Sequence, residues 1–200
     1  MTQTAAISRP ELTMPEEEAG VLRAAYAKAD VILEYGSGGS TVMAADMPGK
    51  RVFSVESDKD WALMMRGWFE ANPPNGNSEV DVIWSDVGPT KDWGYPQDTA
   101  HYMRYARYPL EVWGLKEFRQ PDVVLVDGRF RVGCALATAL RTTKPVQLFI
   151  DDYKRRKQYH KVEAFFGQPT LTGRMAGFTV NPMRLEPDRL LDTIEMMLRP

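Results

Sequence analysis

The sequence predicts an α/β protein, with a doubly wound, mostly parallel sheet and helices on both of its faces. Three observations predict it. Short apolar runs recur at 31–35, 51–56, 80–84, 123–127 and 146–150, separated by stretches of helical periodicity. Most of these runs are apolar throughout instead of alternating, as strands buried on both faces require. Each run also ends at or beside an acid next to a turn: Glu34, Glu56, Asp86, Asp127 and Asp151.

The elements follow in order. Thr13 can cap a first helix, Pro15 suits its first turn, and Glu16, Glu17 and Glu18 meet the positive end of its dipole. Leu22, Ala25, Tyr26 and Ala29 continue it at helical spacing, and residues 1–12 before it read as a loose arm. The strand at 31–35 breaks at Gly36, and a compact helix spans 40–47. The strand at 51–56 is followed by a helix starting at Asp58, which Asn72-Pro73-Pro74-Asn75-Gly76-Asn77 stops. After the strand at 80–84, residues 87–120 break the rhythm. They form an aromatic insert with one helix at about 102–114, suited to a lid over a substrate. The fourth strand, a helix at 130–142 and the fifth strand restore the alternation. A helix at 154–166, a hairpin around Ala176-Gly177 and a helix at 188–198 close the chain.

Composition bounds the function. Of 200 residues, 44% are hydrophobic and 26% charged, enough for a packed core and against a disordered chain. No repeat or domain boundary appears, so 1–200 is read as a single domain. A net charge of −2 speaks against a chain-wide nucleic-acid footprint. A single cysteine, Cys134, excludes a disulfide scaffold and a cysteine-zinc cluster, and two histidines exclude a His-rich metal site. No apolar run of membrane-spanning length occurs, and a cytoplasmic protein with no membrane partner is expected. The oligomeric state is not legible.

Ligands of open α/β sheets bind beyond the carboxyl ends of the strands. The first turn, Glu34-Tyr35-Gly36-Ser37-Gly38-Gly39-Ser40-Thr41, lets backbone approach a ligand closely. It lacks the third glycine of a dinucleotide site and the lysine of a phosphate-binding loop. Its acid would repel a pyrophosphate and suits a cationic amino-acid or sulfonium end; the alternative is a tight turn without a ligand. Glu56 is placed to accept from ribose hydroxyls or to cap the next helix. Asp86 can accept from an exocyclic amine, with the Val87 amide serving a ring nitrogen, or be a solvated turn acid.

Glu-x-Gly-Ser-Gly-Gly, Val-Glu-Ser-Asp, Ser-Asp-Val and Leu-Val-Asp-Gly, in this order, resemble the S-adenosylmethionine-dependent class I methyltransferases over about 31–183. The resemblance implies a Rossmann-like, seven-stranded sheet with a reversed terminal strand. It implies that Gly36, Ser37 and Gly38 pass beneath the methionine portion of S-adenosyl-L-methionine, Glu34 anchors that end, Glu56 holds the ribose and Asp86 marks the adenine. Ser40 stands where many members have glycine.

The substrate half is less specific. Asp127 and Asp152 end the fourth and fifth strands much as in metal-dependent O-methyltransferases, but further metal ligands are not identifiable, so the expectation is no metal. Asp127, Asp152 and His160 are the catalytic candidates, with Asp127 also read as a cofactor contact and His160 as a general base or a packed side chain. Arg129 and Arg131 either hold an anionic substrate or pair with Asp127 and Asp151. Tyr153 is a substrate contact. Asp-Asp-Tyr-x-x-Arg-x-x-Tyr-His and Val-Asp-Gly-Arg-Phe-Arg resemble an uncharacterised bacterial methyltransferase-like group. The reading is O- or N-methylation of a small-molecule or sugar-containing acceptor; the alternative is a silent protein that binds S-adenosylmethionine or S-adenosylhomocysteine.

Overall fold

The structure, a computed structural model, describes residues 8–74 and 76–200; residues 1–7 of the expected arm and Asn75 of the helix stop lie outside them. In chain order the elements are α1 (Glu16–Lys28), β1 (Val31–Tyr35), α2 (Gly39–Ala45), β2 (Arg51–Glu56), α3 (Lys59–Ala71) and β3 (Glu79–Trp84). A small hairpin follows, β4 (Thr90–Lys91) with β5 (Tyr95–Pro96), then α4 (Arg107–Leu110), β6 (Val123–Val126), α5 (Arg131–Arg141) and β7 (Val146–Ile150). The chain ends with α6 (Glu163–Phe166), β8 (Thr170–Thr172), β9 (Met175–Val180) and α7 (Leu190–Met197).

The sheet has seven strands in the order β3-β2-β1-β6-β7-β9-β8. Strands β1, β2, β3, β6 and β7 are mutually parallel, and β9 runs against β7. Successive residues of a strand face opposite sides. Thus Ile32, Val123 and Leu125 pack with Leu22 and Tyr26 of α1. Leu33, Tyr35, Val124 and Val126 pack on the other side, with α5 and the aromatic insert. Moving out from β1, the strand order reverses between β1 and β6, so the turns after these two strands diverge around a crevice.

Four sequence expectations change. The insert does not hold one helix at 102–114, because Pro109 has no N–H and its carbonyl accepts the Tyr35 hydroxyl at 2.7 Å. Single turns replace it, and Tyr105, Tyr108, Val112 and Trp113 are buried core. The helix at 154–166 is mostly a 3₁₀ stretch, Lys157–Val162, that buries Tyr159 and Val162 at its three-residue period. The hairpin turns at Gly173-Arg174: buried Glu18 accepts from the Arg174 amide at 2.7 Å, while Ala176 and Gly177 pair with Ile150 and Phe149 inside the sheet. Finally, Thr13 does not cap α1; Pro15 occupies the N-cap without a side-chain bond.

The described part of the arm is not loose. Met14 and Leu12 pack with the α1 cluster, and Arg9 pairs with Asp46 of the chain after α2. The backbone of Glu11 and Leu12 lies so close over Gly39 that no Cβ fits there. Gly39→Ala is therefore expected to lift residues 9–14 while leaving the sheet intact, since alanine is a good helix residue. Amide hydrogen exchange in this segment should rise about tenfold, with the global unfolding free energy within about 1 kcal/mol of wild type.

Candidate functional site

A cavity of about 650 Å³ opens where the turns after β1, β2 and β6 meet. That is within the usual range for a small-molecule site. Gly36, at φ 103°, presses its backbone on Gly128: a Cβ would come within 2.7 Å of the Gly128 nitrogen. Gly36, Ser37 and Gly38 therefore present backbone to the cavity, as the sequence suggested for this turn. Residues 10–14 of the arm form another wall.

Glu56 also lines it. One carboxylate oxygen accepts from the Ser57 and Asp58 amides at 2.7 and 2.9 Å, and the other from the Ser37 amide at 3.2 Å. Burial pushes this carboxyl up from its ordinary value, and those amides oppose the shift. Capping of α3 falls to Asp58, which accepts from the Trp61 amide at 2.9 Å. The Trp61 indole donates to the Ser37 carbonyl at 2.7 Å, and its ring lines the cavity with Met64 and Trp93. Trp93 is 87% exposed and sits at φ 63°, a conformation that a bulky residue rarely adopts.

Glu34 does not face this cavity. It shares the parity of Ile32, so it points toward α1, and it is fully buried. Tyr26 donates to it at 2.6 Å and Thr41 donates to its other oxygen. It supports the glycine turn from below in place of the expected direct contact. Burial pushes its carboxyl up to about 7, against the hydrogen bonds from Thr41, Tyr26 and Ser40. Asp86 lies in an adjoining hollow of about 410 Å³ that shares Asp58 and Asp60 with the main cavity. Its carboxylate accepts from Arg104 at 2.8 Å and the Gly88 amide at 2.9 Å. Val87 is fully buried.

Asp127, Asp151 and Asp152 bring carboxylate oxygens within 4.8 Å of one another, a donor set that a divalent cation could use. Guanidinium groups fill it instead. Arg174 forks onto buried Asp151 at 2.9 and 2.6 Å, and Arg156 holds Asp152 at 2.8 Å. Arg131, 3% exposed at its side chain, reaches Asp127 at 3.2 Å, the Asp127 carbonyl at 2.6 Å and the Asp151 carbonyl. As built, the cluster does not fit a metal without displacing these arginines.

Of the catalytic candidates, Asp127 alone lines the cavity. Burial pushes its carboxyl up to about 6; Arg131 pulls down, and Asp151 and Asp152 push up. Its side chain is still 41% exposed, so water reaching it tempers the effect of burial. His160 stacks on Tyr153 at 4.6 Å and lies 3.7 Å from Glu163, away from the cavity. Tyr153 is buried, with its hydroxyl donating to Glu163 at 2.8 Å. Asp152 and Arg131 are spent on the cluster. Arg129 lines the cavity, 8% exposed, with its guanidinium 4.1 Å over the ring of Tyr95. Sequence reasoning missed the arm, Trp61 and Arg174, none of which belongs to a strand-end motif.

No family model and no curated protein matches the sequence. Among solved structures, a methyltransferase-like protein from Silicibacter pomeroyi is 57% identical, with a TM-score of 0.93, covering 96% of this chain and 99% of that one. An O-methyltransferase of Streptomyces achromogenes in complex with S-adenosylmethionine is 14% identical, with a TM-score of 0.54 over 85% of this chain and 82% of that one. One from Bacillus cereus in complex with S-adenosylhomocysteine is 13% identical, with a TM-score of 0.53 over 88% and 85%. The last two share the fold. The chain belongs to the class I methyltransferase-like family. No helix among the described residues is long and apolar enough to cross a membrane.

Glu34 gives the fold a pH dependence. Its carboxyl is raised from the ordinary 4.5 to about 7, so the folded chain holds a proton that the unfolded chain has lost. That contribution to stability is full below 4.5 and is lost as pH rises through about 7. Glu34→Gln should flatten the decline in unfolding free energy between pH 4.5 and pH 7.5 by about 3 kcal/mol, using about 1.4 kcal/mol per pKa unit. Urea titrations of both proteins across that range read it.

Proposed function

We propose that this chain binds S-adenosyl-L-methionine in the main cavity and methylates oxygen or nitrogen of a small-molecule acceptor. The observation that carries the reading is Glu56. It is a buried carboxylate held by three backbone amides beside a glycine turn, and the oxygen that the Ser37 amide reaches keeps a lone pair for a ribose hydroxyl. The relatives that hold this cofactor or its demethylated product share the fold and support the choice. The ring faces of Trp61 and Trp93 suit a heterocycle.

Bound S-adenosylmethionine supplies a methyl group on cationic sulfur for a single in-line displacement. Asp127 faces the cavity as an acid, favours a cationic ligand, and can take the proton released by the acceptor. The arm and Trp93 narrow the mouth against water. A cytoplasmic setting belongs to the same reading, compatible with the free, buried thiol of Cys134. A silent binder is separated from an enzyme by Asp127→Asn, which in an enzyme removes turnover and keeps affinity for S-adenosylhomocysteine, whose sulfur is uncharged.

Calorimetric titration with S-adenosylhomocysteine, S-adenosylmethionine, NAD and ATP tests the reading, and binding of the first two alone is the expected result. Glu56→Ala should weaken them by about 1.5–3 kcal/mol, the range for hydrogen bonds to a charged group. A 2′-deoxy analogue should lose little further affinity in that variant. Equal discrimination against the analogue by both proteins would remove Glu56 from the ribose site.

A further inference from the structure

We propose that Arg129 is an anion receptor in the cavity wall, and that the acceptor methylated there carries a carboxylate or phosphate group. The second half rests on the methyltransferase reading above; the first stands on the arginine's own surroundings.

The arginines around the β6 and β7 ends divide into two kinds. Arg131, Arg156 and Arg174 are spent on Asp127, Asp151 and Asp152. Arg129 is more than nine-tenths buried, yet it forms no ion pair among the described residues, and its Nε has no hydrogen-bond partner there. A buried charge without a counter-ion is costly, and removal of its partners is among the most destabilising changes in a protein. Asp127, two residues before it and the nearest acid in sequence, is turned to Arg131.

The local backbone serves this placement. Phe130 is held at φ 52° with its ring fully buried against Tyr105 and Tyr108, so the chain reverses directly after Arg129. The ring of Tyr95, from the hairpin of the insert, then lies under the guanidinium, its centroid 4.1 Å from the guanidinium carbon. Stacking fixes the plane of the group without using any N–H. The planar fork thus remains available on the cavity side, in the geometry that grips two oxygens of a carboxylate or phosphate. Arg129 follows β6, which lies on the far side of β1 from β2 and its Glu56. That is the half left for an acceptor once Glu56 and the glycine turn hold the donor.

The donor's own amino-acid carboxylate is the other source of such a group, and the test separates the two. S-adenosylhomocysteine and 5′-methylthioadenosine, which lacks that carboxylate, are titrated into wild type and Arg129→Gln. Benzoate, phenyl phosphate and uncharged benzamide are then titrated into protein saturated with S-adenosylhomocysteine, followed by ligand-observed NMR. The expected result is nucleoside affinity within threefold in both proteins. Benzoate or phenyl phosphate should bind wild type in preference to benzamide and lose about tenfold in Arg129→Gln, one decade being about 1.4 kcal/mol. Tyr95→Leu, which keeps the arginine and removes its platform, should lose several-fold and serves if the first variant does not fold. The proposal is overturned if Arg129→Gln weakens S-adenosylhomocysteine tenfold and spares 5′-methylthioadenosine, because the donor then owns the arginine. It is also overturned if the anions bind no better than benzamide, or equally well to both proteins. Wild type that binds neither nucleoside would sink the methyltransferase reading instead, and the anion titration on the unloaded protein would still decide the role of Arg129.

Discussion

The backbones of Gly36 and Gly128 touch, and the site is organised around that contact. Gly36 donates to the Val55 carbonyl at 2.8 Å, while Gly128 and Asp127 donate to the Tyr35 carbonyl at 2.6 and 2.9 Å. The ends of β2, β1 and β6 are thereby tied into one edge. The Tyr108 hydroxyl lies where a side chain on Gly128 would go, so the insert also rests on this joint. With no Cβ on either glycine, the turns can approach and then splay, and the crevice between them opens at the point where the strand order reverses.

Six acids, Glu34, Glu56, Asp86, Asp127, Asp151 and Asp152, crowd the carboxyl edge of the sheet, and the fold answers their repulsion in three main ways. Glu34 is surrounded by hydroxyls and shifted toward its neutral form. Glu56 is held by backbone amides that favour its charge. Asp151 and Asp152 are matched by arginines from three different segments. Crowded acids at a sheet edge thus do not require a ligand to balance them. Only Glu56 and Asp127 keep a face on the main cavity. Arg129 is the exception, the one guanidinium beside this cluster without a carboxylate among the described residues.

The aromatic insert divides its labour along its length. Its second half is core: the Trp113 indole donates to the Tyr35 hydroxyl at 2.7 Å, and Tyr108 is sealed against Phe130. Its first half, with Trp93 and Tyr95, reaches the cavity. The hairpin that presents them is anchored by the Gly94 carbonyl, which accepts from Ser57 at 2.9 Å. The arm from residue 10 to residue 14 closes the opposite side, so two segments outside the α/β alternation shape the mouth.

The strand positions, the glycine turn, the sheet class and the reversed terminal strand were legible in the sequence, because each depends on local periodicity, on residues that permit unusual backbone, or on a motif carried in one stretch. Glu56 and Asp127 were legible for the same reason, since the last residue of a parallel strand must emerge at the ligand edge. Glu34 was misread, although its parity with Ile32 already pointed it toward α1. For Arg129 and Arg131 the sequence left two uses open, anion binding or internal pairing, and no local rule could choose. Their fates were decided by the left-handed turn at Phe130, the ring of Tyr95 and the reach of Arg174 from the turn between β8 and β9. His160 and Tyr153 lost their place at the site to mutual stacking and to Glu163, and the arm gained one through a contact with Gly39. These outcomes required tertiary structure, because each depends on groups far apart in the chain competing for the same charge or the same space.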